Sequence, residues 1–298
     1  VAGAVTPTEL LLPRRVRRAL GESSAKKFHS TSLWSPIPVG LDRLSEVVTL
    51  SVVGRNVLLA GEQGAGKSNA IQLITGWGAL DVNTKLYLLD KKRLEMIYWK
   101  DVAERYETDL AGAVSVLEDL LWEIERRLET LVELGRRKVL PGDGLDLHLL
   151  VIDELASFTR GSGANEKTEE QLRQRFILML AEILRLGRAL GVVVVTATQV
   201  ALVKNLPDDL RRLFSYRWAF RCTELDASQV ILGAGWAGRG FDASKIQPWQ
   251  QGRGMLLKDE GYPIDCRAYV ADDDALKVVA ARALELRQAA GAVRAAAP

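Results

Sequence analysis

From Gly61 to Ser68 the chain reads G-E-Q-G-A-G-K-S, a set of residue types that together can hold the phosphates of a nucleotide. Glycine admits left-handed and tightly turned backbone, so consecutive N–H groups can converge on an anion, and the positive end of a following helix adds to the pull. The spacing fits G-x-x-x-x-G-K-[ST]. In that pattern Gly61, Glu62, Gln63, Gly64, Ala65 and Gly66 wrap the phosphates, Lys67 reaches the terminal ones, Ser68 ligates Mg²⁺, and Asn69 completes the nucleotide-contacting stretch. A glycine-rich turn with an incidental lysine is the bland alternative. The flanks weigh against it, because RNVLLA supplies the preceding strand and NAIQLITGW the following helix.

Roughly 85 residues further on, Asp153 and Glu154 follow the apolar run LHLLVI. A carboxylate at a strand exit, such as Asp153, can hold Mg²⁺ through its water shell, and Glu154 beside it can polarise a water for in-line attack on a γ-phosphate. Gln199 ends the run TATQ, where an amide can hydrogen-bond the γ-phosphate or the attacking water; a plain strand end is the alternative there. ATP and Mg²⁺ are therefore the expected cofactors. Nucleophilic catalysis of the Ser-His-Asp or Cys-His kind is not indicated, since His29 and His148 are the only histidines and neither has an evident partner. His148, inside an apolar strand, is expected in the core.

These residues need a scaffold that brings strand ends together. The runs VVTLSVV, NVLLAG, KLYLLD, LHLLVID, GVVVVTAT, YRWAFRC, GRGMLL and PIDCRAYV have strand character. Helical periodicity covers Lys67 to Leu80, Ala111 to Lys138, about Thr168 to Leu190, and about Asp273 to Ala289. The continuous apolar strands are of the kind buried on both faces. Alternation of such strands with helices predicts an α/β fold with a mostly parallel central sheet flanked by helices, and ligands at the carboxyl ends of its strands. Three segments are expected: a basic arm or lead-in over 1–36, a phosphate-loop unit over 37–272, and a helix with an Ala-rich tail over 273–298.

With 48% hydrophobic and 26% charged residues, the composition is that of an ordinary globular chain able to bury a core. A net charge of +2 does not by itself call for a nucleic-acid partner, so any such contact must come from local patches. Arg14, Arg15, Arg17, Arg18, Lys26 and Lys27 make one patch, readable as a solvated arm or as a dock for nucleic acid or a neighbouring subunit. Cys222 and Cys266 stand far apart without a CxxC, which points away from zinc and from a disulfide framework and towards a reduced, cytoplasmic setting. No run reaches the length of about 18 apolar residues that a membrane span requires.

The order LLAGEQGAGKS, LYLLDKKRLEM, LHLLVIDELASF, LAEILRLGRALGVVVVTATQ, YRWAFRCTELDASQVIL and GRGMLL resembles the motor domain of the FtsK/SpoIIIE family of DNA translocases, a group that includes the TraB-type plasmid-transfer motors of actinomycetes. The likeness extends over about residues 38–272. It implies a RecA-like P-loop NTPase fold, a hexameric ring, and double-stranded DNA threaded through the pore, in conjugative transfer or chromosome segregation. If the protein meets the inner face of a membrane, it is expected to do so through a membrane-bound partner or through residues outside this sequence. By the same resemblance, Arg188 is the first choice among Arg185, Arg188 and Arg217 for an arginine acting on the next subunit's nucleotide; surface ion pairing is the alternative. Arg160 and Lys167, which flank a Gly-Ser-Gly-Ala-Asn stretch in a segment that faces the pore in these motors, are the expected contacts to DNA phosphate, against the alternative of a solvated surface loop.

Departures from the family pattern are also visible. Val200-Ala201 stands where Arg-Pro is usual, and GAGWAGRGFDASKIQPWQQ, with Trp236 and Trp249, is longer than expected. No winged-helix module is expected after residue 272. Two other functions use the same residues differently: a protein-secretion ATPase of the related motor family, and a nucleotide-binding scaffold without turnover. Retention of Lys67, Ser68, Asp153 and Glu154 argues against the scaffold.

Overall fold

Val192, Val193, Val194 and Val195 follow one another without a polar residue, so a strand built from them must be covered on both faces. The structure, a computed structural model, describes residues 32–160, 167–199, 208–259 and 261–292. In chain order its elements are β1 (Ile37–Asp42), β2 (Val47–Leu50), β3 (Val57–Gly61), α1 (Lys67–Leu80), β4 (Thr84–Leu89), β5 (Arg105–Glu107), α2 (Leu110–Glu133), β6 (Leu147–Ile152), α3 (Ala156–Thr159), α4 (Lys167–Leu186), β7 (Val192–Gln199), α5 (Asp208–Arg212), β8 (Tyr216–Phe220), α6 (Leu225–Leu232), β9 (Arg253–Lys258), β10 (Ile264–Ala268) and α7 (Asp273–Ala289). The strands form one sheet in the order β2-β1-β10-β9-β8-β3-β7-β6-β4-β5. From β8 to β5 every pairing is parallel, and from β8 outward to β2 every pairing is antiparallel.

Alternation along the central strands divides the core. Val57 and Leu59 of β3, Leu149 and Val151 of β6, and Val193 and Val195 of β7 join the cluster under α1 and α7. Leu58, Leu150, Ile152, Val192 and Val194 point the other way, into the cluster under α2 and α4. Ala60, two residues from Leu58 and so on the same face, packs instead beneath α6. The sheet is thus covered on both sides, as the apolar runs require. Among the described residues no helix is long and apolar enough to cross a membrane.

The helix expected over Ala111 to Lys138 ends at Glu133. Gly135 takes φ +61°, Arg136 N–H donates to Leu131 O at 2.9 Å, and Gly135 N–H donates to Val132 O at 3.0 Å, a paired backbone stop that pattern alone did not locate. The strand expected over VVTLSVV stops at Leu50, since Arg55 N–H turns back to Val52 O and Gly54 takes φ +77°. β1 and the helical state of α6 were not anticipated. The helix expected to Leu190 leaves α-geometry at Leu186 and continues as a 3-10 turn over Gly187–Ala189. The basic patch at Arg14 to Lys27, the Gly-Ser-Gly-Ala-Asn stretch and Val200-Ala201 lie outside the described residues.

Two buried arginines tie helices to the sheet. Arg287 of α7 donates to the carbonyls of Gly78, Ala79, Asp81 and Thr84 at 2.7–2.9 Å, which joins α7 to the end of α1 and the start of β4. Arg127 of α2 donates to Glu123 Oε1 at 2.6 Å, Leu190 O at 2.7 Å and Asp146 O at 2.6 Å, where β6 and β7 begin. His148 lies in this core, stacked on Tyr87 with ring centroids 5.4 Å apart.

Burial pushes the His148 imidazole down from 6.5 to about 3, with Arg127 adding to the shift and Glu123 opposing it. A histidine kept neutral in the folded chain but free to protonate in the unfolded chain makes stability fall as pH drops from about 6.5 towards that lower value. We expect the urea midpoint of this chain to fall between about pH 7 and about pH 4.5 by more than that of His148→Phe. Parallel declines in the two proteins would show that His148 does not carry the effect.

Candidate nucleotide site

The phosphate loop links the end of β3 to α1 and is shaped by the backbone around it. Gly64 takes φ +73°, and Gly66, the N-cap of α1, takes φ +107°, both in the left-handed region that only glycine enters freely. A Cβ on Gly66 would lie 2.7 Å from the Cα and N of Gly252, and one on Gly61 would lie 2.7 Å from the Cβ of Phe220. Gly252 N–H donates to Ala65 O at 3.0 Å, and Glu62 N–H donates to Arg221 O at 2.9 Å. The loop is therefore gripped by the turn before β9 and by the exit of β8. The Glu62 carboxylate also meets the Arg221 guanidinium at 2.7 Å.

Lys67 opens α1, and its ammonium donates to Gly61 O and Glu62 O, each at 2.8 Å. Burial lowers its pKa to about 8; Glu154 opposes that shift, and Lys92 adds to it. An ammonium in this setting is short of negative charge, which a polyphosphate supplies. Ser68 and Asn69 follow on the first turn of α1. Gln63, Gly64 and Ser68 are exposed, while Ala65 is buried.

The acidic pair lies two strands away from the loop's strand, at the exit of β6. Asp153 and Glu154 are each 7% exposed. Burial pushes the Asp153 carboxyl up to about 7; Glu95 pushes the same way and Lys92 opposes. Its Oδ2 is buried without a hydrogen-bond partner, and the nearest cation, the Lys92 ammonium, stands 3.9 Å off, beyond hydrogen-bond reach. Glu154 Oε1 accepts from Ala156 N–H at 3.3 Å. A buried, unpartnered carboxylate oxygen fits a hard divalent cation, and Ser68 and Asp153 are the residues that would hold it, with phosphate and water oxygens completing the shell. When bound, Mg²⁺ would offset the charge of the phosphate oxygens.

β7 fills the gap between the two halves of the site. Gln199 pairs in register with Gly61, and Thr198 with Ala60, so both stand beside the root of the phosphate loop. The Thr198 hydroxyl is buried without a partner, a polar atom that sequence reasoning passed over. Lys92, Glu95 and Arg221 were missed as well. The run DKKRLEM, which holds Lys92 and Glu95, was visible as a motif but had no spacing rule linking it to the phosphate loop.

The remaining expected residues do not converge here. Arg188 lies at the opposite, amino edge of the sheet, where its Nε donates to Gly54 O at 3.1 Å, ahead of β3. The eight-residue β7 puts about 26 Å between that edge and Gln199. Around Arg188 a cavity of about 510 Å³ is lined by Arg55, Arg137, Lys138 and Arg185. Arg160 is exposed at the end of α3 and Lys167 is exposed at the start of α4, on the same side of the sheet as Asp153.

Loop, helix and acidic pair on the parallel half of a helix-flanked sheet define a P-loop NTPase of the α/β class. The chain belongs to the FtsK/SpoIIIE family, whose profile matches residues 22–201. It is 26% identical over 253 residues to "Protein Tra" of Streptomyces lividans, a match covering 80% of this chain and 40% of that protein. It is 29% identical over 271 residues to "DNA translocase FtsK" of Tropheryma whipplei, covering 82% of this chain and 34% of that one. The chain thus spans less than half the length of these two relatives. Among solved structures, the pCW3 conjugation coupling protein TcpA, in its monomer form with ATPγS, superposes with a TM-score of 0.73 at 23% identity, covering 84% of this chain and 70% of TcpA. EssC (ATPases 2 and 3) from Geobacillus thermodenitrificans superposes with a TM-score of 0.67 at 15% identity, covering 87% of this chain and 50% of that one. These likenesses agree with the expected fold.

The grip of Gly252 on the loop gives a direct test. Gly66→Ala adds a methyl group where the backbone of Gly252 stands and forces a left-handed alanine. We expect the variant to keep its far-UV circular dichroism but to lose at least about tenfold in affinity for a fluorescent ATP analogue, because loop closure is strained. Unchanged affinity would show that the contact is not needed for the phosphate-binding shape.

Proposed function

We propose that this chain is the ATP-hydrolysing motor of a ring-forming double-stranded DNA translocase that works in plasmid transfer or chromosome segregation. The observation that carries the reading is the Asp153-Glu154 pair, buried across β7 from the Lys67 loop, with Asp153 Oδ2 unpartnered. Membership of the FtsK/SpoIIIE family and the names of two relatives, a Tra protein and a DNA translocase, support DNA as the substrate. In this reading Lys67 binds the terminal phosphates, Ser68 and Asp153 hold Mg²⁺, Glu154 takes a proton from the attacking water, and Gln199 orients that water or the γ-phosphate. Arg160 and Lys167, with the segment they flank, meet DNA phosphates without reading sequence.

ATP turnover with and without long duplex DNA tests this. We expect strong stimulation by DNA, loss of nucleotide binding in Lys67→Ala, and retained binding with turnover down about 100-fold or more in Glu154→Gln. The double variant Arg160→Ala, Lys167→Ala is expected to keep basal turnover and lose most of the stimulation. Turnover indifferent to DNA would favour a protein-secretion ATPase, a reading compatible with the EssC fold likeness, and binding without turnover would favour a coupling scaffold.

Arg188 sits about a strand's length from its own phosphate loop, so a role on nucleotide requires a neighbouring subunit. A head-to-tail ring, for which a hexamer is the proposed closure, would bring the amino edge of one copy to the carboxyl edge of the next. Mixing Arg188→Ala with Glu154→Gln chains should then recover part of the activity that each lacks alone. Assembled mixtures that stay inactive at every ratio would remove Arg188 from this role.

A further inference from the structure

The turn that follows β4 has the sequence D-K-K-R-L-E-M, and it is held more firmly than a connecting loop needs to be. Asp90, fully buried, accepts from the backbone N–H groups of Arg93 and Met96, each at 3.0 Å, and from the Tyr106 hydroxyl at 3.2 Å. Gln72, on the helix that carries the phosphate loop, donates to Glu95 O and accepts from the buried Trp99 indole at 2.5 Å. Lys91 donates to Ser157 O at 3.1 Å, which ties the turn to α3. Within this clamp Arg93 takes φ +62°, a left-handed conformation unfavourable for a residue with a side chain. Strain held in place by surrounding contacts is a marker of function.

The turn carries two charges to the nucleotide site. The Lys92 ammonium reaches 3.9 Å from Asp153 Oδ2 and lies within electrostatic range of Lys67, while Glu95 acts on both Lys67 and Asp153. A purely structural ion pair would explain this poorly. Lys92 does not hydrogen-bond Asp153, remains about half exposed, and is set near a second ammonium that repels it. Two lysines drawn together are favourable once a polyanion lies between or beside them.

We infer that Lys92 is a second phosphate-facing cation of this site, positioned by the Asp90–Met96 turn to meet the terminal phosphate of a nucleoside triphosphate. The inference rests on the nucleotide-binding reading above and adds to it a residue that discriminates triphosphate from diphosphate. Lys67 holds the loop side of the polyphosphate, and Lys92 approaches from the side of the acidic pair, where the terminal phosphate must lie for Glu154 to direct water onto it.

The test is equilibrium binding of a non-hydrolysable ATP analogue and of ADP, both with Mg²⁺, to the full chain and to Lys92→Met, Lys92→Gln and Lys92→Arg. Removing a charge-assisted contact to the last phosphate should weaken the ATP analogue by about tenfold in the Met and Gln variants, leave ADP within about twofold, and be largely reversed in the Arg variant. Unchanged affinity for both nucleotides would make Lys92 an ordinary surface cation. An equal loss for both, or a lowered melting temperature that accounts for the loss, would make its role structural. In either case the inference fails while the nucleotide site stands. Failure of the unsubstituted chain to bind either nucleotide would remove the nucleotide reading and this inference with it.

Discussion

Everything at the nucleotide site depends on how closely two glycines can pack. Gly66 and Gly252 approach until no side chain fits between them, and this contact presses the phosphate loop of the parallel half of the sheet onto the antiparallel half. Gly252 N–H donates to Ala65 O, and Gly252 O accepts from Ala268 N–H at 2.8 Å. The loop is thereby anchored through β9 and β10, strands that contribute none of the expected phosphate-binding or acidic residues. Their role is mechanical. They fix a backbone whose left-handed residues would otherwise sample many conformations.

Charge is distributed with the same polarity as the sheet. Acids and the two lysines of the site gather where the parallel strands end, and arginines and a lysine line a cavity where they begin. Parallel strands make such separation natural, because every connection returns a chain segment to the other edge. A single copy cannot bring the two edges together across a strand's length. Two copies in head-to-tail contact would, which is the contact that the proposed ring requires.

Much of this architecture was legible from local patterning. The helix over Lys67 to Leu80 agrees with expectation to the residue and that expected over about Asp273 to Ala289 agrees closely, because each has a clear signal at its start: the Gly-Lys-Ser of the loop for one, and Asp272 capping Ala275 N–H at 2.8 Å for the other. Misreadings fall where backbone contacts between elements decide the outcome. Glu133 ends α2 because Gly135 and Arg136 close a turn on Leu131 and Val132, a stop made by backbone contacts that periodicity does not locate. β1 exists because β10 and β2 offer it edges, a pairing between distant segments that composition does not announce.

The amino-acid sequence by itself determined the class of chemistry and the order of the strands and helices that carry it. Glycine, lysine, serine and paired acids at those spacings have few other uses, and two-sided apolar strands have few ways to be buried. Tertiary structure alone decided which charges meet. It brought Lys92 and Glu95 to Asp153, left the Thr198 hydroxyl buried without a partner, and sent Arg188 to the far edge. The reason is that electrostatic interaction depends on distance in space, and in a crossed parallel sheet neighbours in space are set by strand order and not by position along the chain.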